Sequence, residues 1–224
     1  MTNYGFITVA AAVPRTRVAD VQYNVEEIER LIEEAEGKGV ELLVFPELCI
    51  TGYTCQDLFR SVHLLDASDE ALTILTDFSL GRGITFVVGA PHRQDDRLMN
   101  TAVIISNGQR HYVHKTFLPN YNEFYEKRWF SVEAVDAEPR IFRLPSGITF
   151  GVEICEDLWS AIPPSSKLAT SGADIILNLS ATDELIGKHA YLLSLLAQQS
   201  ARTMSGYVYS SCGFGESDRK STRL

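Results

Sequence analysis

The stretch Asn24-Val25-Glu26-Glu27-Ile28-Glu29-Arg30-Leu31-Ile32-Glu33-Glu34-Ala35, followed by Gly37, Gly39 and then Leu42-Leu43-Val44-Phe45, decides the fold class. Val25, Ile28, Leu31, Ile32 and Ala35 recur at helical period, Asn24 and Glu27 have capping-box spacing, and the two glycines stop the pattern. An amphipathic helix therefore runs into a short aliphatic run that reads as a strand. Residues 6–13 form an earlier apolar run of the same kind, so the chain opens as strand, helix, strand. Runs rich in Val, Ile and Phe at 85–90, 102–105, 148–154, 175–179 and 207–212 read as further strands, and helical patterns cover 68–80 and 187–204. Such alternation implies an α/β fold. Between 95 and 110 a polar turn, an apolar strand and Asn107-Gly108, the dipeptide suited to a type I′ turn, predict a strand pair.

The 224 residues include 45% hydrophobic and 22% charged side chains, a balance that one globular domain accommodates, and no repeat or Pro/Gly/Ser-rich linker divides them. A formal net charge of −9 argues against nucleic acid as a partner, because that binding sets clustered Lys and Arg against phosphates. A small polar substrate suits the chain better. No apolar stretch approaches the roughly 20 residues of a membrane span, and the first apolar run lacks the basic flank of a signal peptide. Cys49, Cys55, Cys155 and Cys212 are too sparse for a disulfide scaffold and lack a Cys-x-x-Cys pair for zinc. The expectation is reduced thiols in the cytoplasm and no metal.

Three segments carry chemistry. In Val44-Phe45-Pro46-Glu47-Leu48-Cys49 a carboxylate follows the C-terminal end of a strand, where sites form in open α/β sheets. Taken alone, Glu47 reads more readily as a solvated loop residue. In Tyr112-Val113-His114-Lys115-Thr116-Phe117-Leu118-Pro119 a Lys sits among apolar and aromatic neighbours. Held there beside a carboxylate it could stabilise an oxyanion; otherwise it is a surface Lys lying along packed aromatics, with His114 structural. In Phe150-Gly151-Val152-Glu153-Ile154-Cys155-Glu156-Asp157-Leu158-Trp159 a strand ends in a thiol. Such a thiol is either an exposed nucleophile with a free backbone N–H beyond it or a small core residue, the reading kept for Cys49, Cys55 and Cys212. Together the three supply the nucleophile, base and oxyanion stabiliser that amide hydrolysis through a thioester needs.

At these segments the sequence resembles the nitrilase superfamily of carbon-nitrogen hydrolases. Within it, the chain resembles the branch formed by the N-terminal glutaminase domains of glutamine-dependent NAD synthetases. The match rests on residues 45–59, on Lys115-Thr116-Phe117-Leu118-Pro119-Asn120-Tyr121, on Phe124-Tyr125-Glu126-Lys127-Arg128, and on residues 151–159. The resemblance implies a four-layer α-β-β-α sandwich. It also implies Cys155 as nucleophile, Glu47 as general base, Lys115 with the Glu156 backbone N–H as oxyanion site, and Glu126 as a second carboxylate holding the Lys. Tyr53, Tyr121, Phe124, Thr182 and Lys188 are implied to line a glutamine pocket. The hydrolytic step is expected to need no cofactor, while ATP and Mg would serve a synthetase domain whose Ser-Gly-Gly-x-Asp-Ser loop this sequence lacks. That domain is the expected partner, in a homo-oligomer. The amidohydrolase domain is expected over 1–216, reading as truncated at its C-terminus, with 217–224 a polar, basic tail. A stand-alone ω-amidase, or a catalytically silent binding or assembly domain, are the rival readings.

Overall fold

In the computed structural model, which describes residues 5–132, 138–183 and 185–216, the first helix is α1 (Val21–Gly37). It is capped by Asp20, whose carboxylate accepts from the Tyr23 N–H. The Asn24 cap read from the sequence is corrected by this start. Asn24 lies buried inside the helix, and its side chain accepts from the Arg17 N–H and donates to the carbonyls of Arg17 and Ile50. Its hydrogen bonds go to neighbouring loops and leave the helical ladder alone.

Strands β1 (Val9–Ala11), β2 (Leu42–Val44), β3 (Thr85–Gln94), β4 (Arg97–Ser106) and β5 (Gln109–His114) form one sheet in chain order. The first three are parallel and the last three antiparallel. The β4–β5 turn has positive φ at both Asn107 (45°) and Gly108 (76°), as a type I′ turn requires. Strands β6 (Phe142–Arg143), β7 (Thr149–Ile154), β8 (Ile175–Ser180) and β9 (Gly206–Ser211) make a second sheet in chain order, antiparallel at β6–β7 and parallel beyond.

The alternation of side chains along each strand builds the layers. Ile28 and Ile32 of α1, with Leu72 and Leu75 of α2 (Val62–Phe78), pack on Phe86, Val88, Val103 and Ile105. The intervening Val87, Ala102 and Ile104 point the other way, with Leu42 and Val44, against Phe150, Val152, Ile154, Leu177 and Leu179 of the second sheet. Leu168 of α3 (Pro164–Thr170) covers Ile176 on the outer face, and α4 (Lys188–Thr203) joins α3 through Gln199, whose amide donates to Ser165 Oγ at 2.8 Å. The order is α-β-β-α, the sandwich the resemblance implies. Both faces of β3, β4, β7 and β8 are covered, which is why they read as unbroken apolar runs.

One strand and one α-helix escaped the sequence reading, as did the 3-10 stretch Tyr53–Arg60. β6 is two residues long, and α3 is a seven-residue helix opened by Pro164 with Ser165 and Ser166, too short and polar for a period to emerge. Helix α2 begins at Val62, ahead of the predicted residue 68. The tail read at 217–224 lies outside the described residues. Among the described residues no helix is long and apolar enough to cross a membrane.

Candidate active site

Each of the principal candidate side chains sits just beyond a strand or in a tight turn. Glu47 follows β2 in a segment pinned to β3 by Phe45 N–H to Val87 O (2.9 Å) and Ile50 N–H to Gly89 O (3.1 Å). This segment crosses β3 so closely that a Cβ on Gly89 would lie 2.2 Å from the Leu48 nitrogen and 2.7 Å from the Pro46 carbonyl oxygen. Only a glycine at 89 admits it. The Glu47 N–H also donates to Ser180 O (3.2 Å), crossing to the second sheet. Lys115 follows β5, its N–H donating to Asn100 O at 2.8 Å. Glu126 opens a single 3-10 turn, Glu126–Arg128. Cys155 follows β7 and starts the 3-10 turn Cys155–Trp159 at φ 46°, a left-handed conformation few non-glycine residues adopt.

The structure gathers these residues into one buried polar cluster. Lys115 Nζ donates to Glu47 Oε1 at 2.6 Å and to Glu126 Oε1 at 2.7 Å, with all three side chains almost wholly excluded from solvent. Tyr53 Oη donates to Glu126 Oε1 (2.7 Å). Asn100 Nδ2 donates to Glu47 Oε1 (2.7 Å) and Glu126 Oε2 (3.3 Å). Glu47 Oε2 is buried and has no hydrogen-bond partner among the described residues. Burial alone would push the Lys115 ammonium down, yet the Glu126 and Glu47 carboxylates hold it well above its ordinary value. Burial raises Glu126, with Lys115 pulling it back. The Cys155 thiol is pushed up to about 12, by burial first and then by the Glu47 charge, against the pull of Lys115 and the Ala181 backbone. The thiol is therefore protonated at neutral pH and becomes a nucleophile only if its proton is taken as it attacks.

The second group of candidates lies around this cluster. Tyr121, half exposed, donates its hydroxyl to Glu156 Oε2 (2.9 Å) and packs edge-on against Phe124. Thr182 is buried one residue beyond Ala181, and its N–H donates to Ser211 Oγ (3.3 Å). Lys188, at the start of α4, pairs with Asp183 and lies over the Trp159 ring at 5.6 Å. The ammonium is thus already engaged by a carboxylate. His114 is buried, its Nδ1 bonded to the Thr101 hydroxyl at 2.8 Å, as a structural histidine would be.

Sequence reasoning missed three residues that hold the cluster together. Asp157 Oδ1 accepts from the Thr116 (3.0 Å) and Phe117 (2.8 Å) N–H groups while Oδ2 accepts from the Ile154 N–H (2.9 Å), so one carboxylate ties the Lys115 segment to the Cys155 turn. Burial pushes its pKa up to about 8 against those N–H groups. Glu216 accepts from the Tyr53 N–H (2.7 Å), the Thr54 N–H (3.2 Å) and the Thr54 hydroxyl (2.8 Å). Asn100 was the most visible of the three, as a buried amide just ahead of the apolar run 102–105 of β4.

The arrangement offers a thiol, a carboxylate oxygen free to accept its proton, and an ammonium to meet a developing oxyanion, which are the parts of acyl transfer from an amide. The profile of the carbon-nitrogen hydrolase family matches residues 8–222. The chain is 35% identical over 233 residues to the glutamine-dependent NAD(+) synthetase of Mycobacterium tuberculosis (strain H37Rv), covering 96% of this chain and 34% of that protein. The Synechocystis protein of the same name is 31% identical over 220 residues, covering 90% and 38%. The solved glutamine-dependent NAD(+) synthetase from Cytophaga hutchinsonii superposes with a TM-score of 0.83 at 28% identity, over 92% of this chain and 36% of that one. An amidase from Nesterenkonia sp. shares the fold, with a TM-score of 0.80 at 21% identity over 92% of this chain and 76% of that one. The chain spans about a third of the length of the synthetases it matches. On the matched length and on the sandwich, the chain belongs to the carbon-nitrogen hydrolase family.

Proposed function

We propose that this chain is the glutamine amidohydrolase part of a glutamine-dependent NAD synthetase. The carrying observation is the division of labour on Glu47: Oε1 holds Lys115 and Asn100, while Oε2 is left bare in the cluster that contains the Cys155 thiol. Cys155 Sγ attacks the glutamine carboxamide carbon as its proton passes to Glu47 Oε2. The tetrahedral oxyanion is met by Lys115 Nζ and the Glu156 backbone N–H. Glu47 then protonates the leaving nitrogen, ammonia departs, and a γ-glutamyl thioester remains on Cys155. Water deprotonated by Glu47 attacks the thioester, which releases glutamate and returns the thiol. Glu126 and Tyr53 hold Lys115 in place. Tyr121, Phe124, Thr182 and Lys188 form the glutamine pocket, with Lys188 exchanging Asp183 for the substrate carboxylate.

Glutamine as substrate is supported by the names of the synthetases to which nearly the whole chain is similar. The hydrolytic step draws every reacting group from the chain and takes no cofactor; ATP and Mg belong to the synthetase domain that would consume the ammonia. The setting is the cytoplasm, consistent with four free thiols. A homo-oligomer is supported by the apolar side chains that α4 and its approach expose, among them Leu185, Ile186, Tyr191 and Leu193.

The test is ammonia release from glutamine by the chain and by Cys155→Ala, with asparagine and small ω-amides in parallel. Release from glutamine that vanishes in the variant is the expected result. Preference for another amide moves the assignment to a free-standing amidase, and undiminished release by Cys155→Ala overturns the mechanism.

A further inference from the structure

Asn100 is the polar residue that the proposed chemistry leaves unexplained. It lies on β4 opposite Pro91 of β3, and is 1% exposed. Its backbone carbonyl accepts the Lys115 N–H at 2.8 Å. Its side-chain amide donates to both carboxylates that flank Lys115, at 2.7 Å to Glu47 and 3.3 Å to Glu126. One strand residue therefore holds the backbone of the cation and the side chains of its two anions. The amide orientation is fixed by electrostatics, since turning it over would set Oδ1 against two carboxylates. Oδ1 is left buried with no hydrogen-bond partner among the described residues. A buried unpaired carbonyl costs stability, so selection for folding alone would favour an apolar residue on this covered strand.

We infer that Asn100 is a positioning residue that selects which oxygen of Glu47 acts as the base. With Lys115 and Asn100 both donating to Oε1, that oxygen is occupied and its charge is stabilised. Oε2 carries the free lone pairs and faces no competing donor. Lys115 Nζ is shared between Glu47 and Glu126, so the lysine does not by itself fix how the Glu47 carboxylate is turned. Without Asn100, the Glu47 side chain is free to turn, so that either oxygen meets Lys115.

This inference rests on the proposed role of Cys155 as nucleophile, and the experiment separates the two. Alkylation of Cys155 by iodoacetamide, a small amide electrophile, is followed by mass spectrometry from about pH 4 to 9 in the wild-type chain, in Asn100→Leu and in Asn100→Ala. Turnover of glutamine is measured beside it. Leu keeps the volume without a donor; Ala is the second variant should Leu fail to pack, and circular dichroism with a cooperative melt establishes the fold. The expected result is a rate of Cys155 alkylation down about tenfold in the variants across that range. In turnover kcat falls and KM stays within about threefold. A folded variant whose alkylation rate and kcat match the wild type overturns the inference while leaving the nucleophile in place. Loss of the fold in both variants also overturns it, since Asn100 would then serve folding. A wild-type Cys155 that neither alkylates nor turns over glutamine overturns the parent reading itself.

Discussion

Cys155 and Asp157 stand two residues apart on one turn, and burial acts on both, with opposite meaning for chemistry. Burial holds the thiol protonated, with its pKa pushed up to about 12, so resting reactivity is low, and in the proposed mechanism the proton leaves through Glu47 as the carbon–sulfur bond forms. Glu47→Gln is expected to lower kcat for amide hydrolysis by about a thousandfold or more, with KM little changed, because the thiol keeps its place and loses its base. Steady-state kinetics in which KM rises and kcat is retained would remove Glu47 from the base role. Asp157 is clamped by three backbone N–H groups drawn from two segments. Above about pH 8, where Asp157 is ionised, Asp157→Asn turns one acceptor into a donor facing an N–H, which is expected to cost about 1–3 kcal/mol of stability. It should also lower kcat, by letting the Lys115 segment drift from Cys155; urea titration and kinetics on the same sample check both. Glu47, Lys115, Glu126 and Cys155 were legible in the sequence because each sits in a segment with a family likeness. Asn100, Asp157 and Glu216 were not, because their importance lies in which backbone or carboxylate they reach across tens of residues, and spacing does not encode that.

Strands β2, β7 and β8 were legible nearly to the residue, and β3 as far as Ala90 of its Thr85–Gln94 span, since burial on both faces leaves a continuous apolar run. The start of α1 was misread because an interior Asn can copy the spacing of a cap, and only the loop partners of Asn24 reveal the difference. Two glycines show how strands set the position of the site. A Cβ at Gly89 would meet backbone atoms of residues 46 and 48, whereas one at Gly151 would meet the side-chain carbons of Leu168, the nearest at 2.7 Å. Backbone cannot step aside and a leucine end can. Gly89→Ala is therefore expected to lower stability by about 2–4 kcal/mol and to abolish most activity by displacing Glu47, and Gly151→Ala to lose clearly less of both. Thermal melts that rank the two substitutions the other way would show that β3 and the 46–48 segment are not held together by that close approach.

Across the whole molecule the buried acids set the response to pH. Asp157, Glu153 and Glu126 are all held above the ordinary carboxylate range, chiefly by burial. The folded chain thus keeps protons that the unfolded chain has released, from about pH 4 up to about 8 for Asp157. Over that window stability falls as pH rises. Asp57 beside Arg128 and Asp174 beside Thr149 are shifted downward, and their contribution is lost only below the carboxylate range. The melting temperature is expected to peak near about pH 5 and to decline toward pH 8; a calorimetric series that climbs across that interval would mean these acids are ionised at little cost.

The Glu47 N–H to Ser180 carbonyl bond joins the two sheets at the site itself. Glu47, Lys115 and Glu126 come from the first 130 residues, and Cys155 and its turn from the rest. Neither half of the chain owns the complete set of proposed reacting groups. The site is a seam, and its chemistry is an assembly signal: turnover reports that two separately layered halves have met in register, and it would go silent at the first slip between them, while each sheet still kept its own hydrogen bonds.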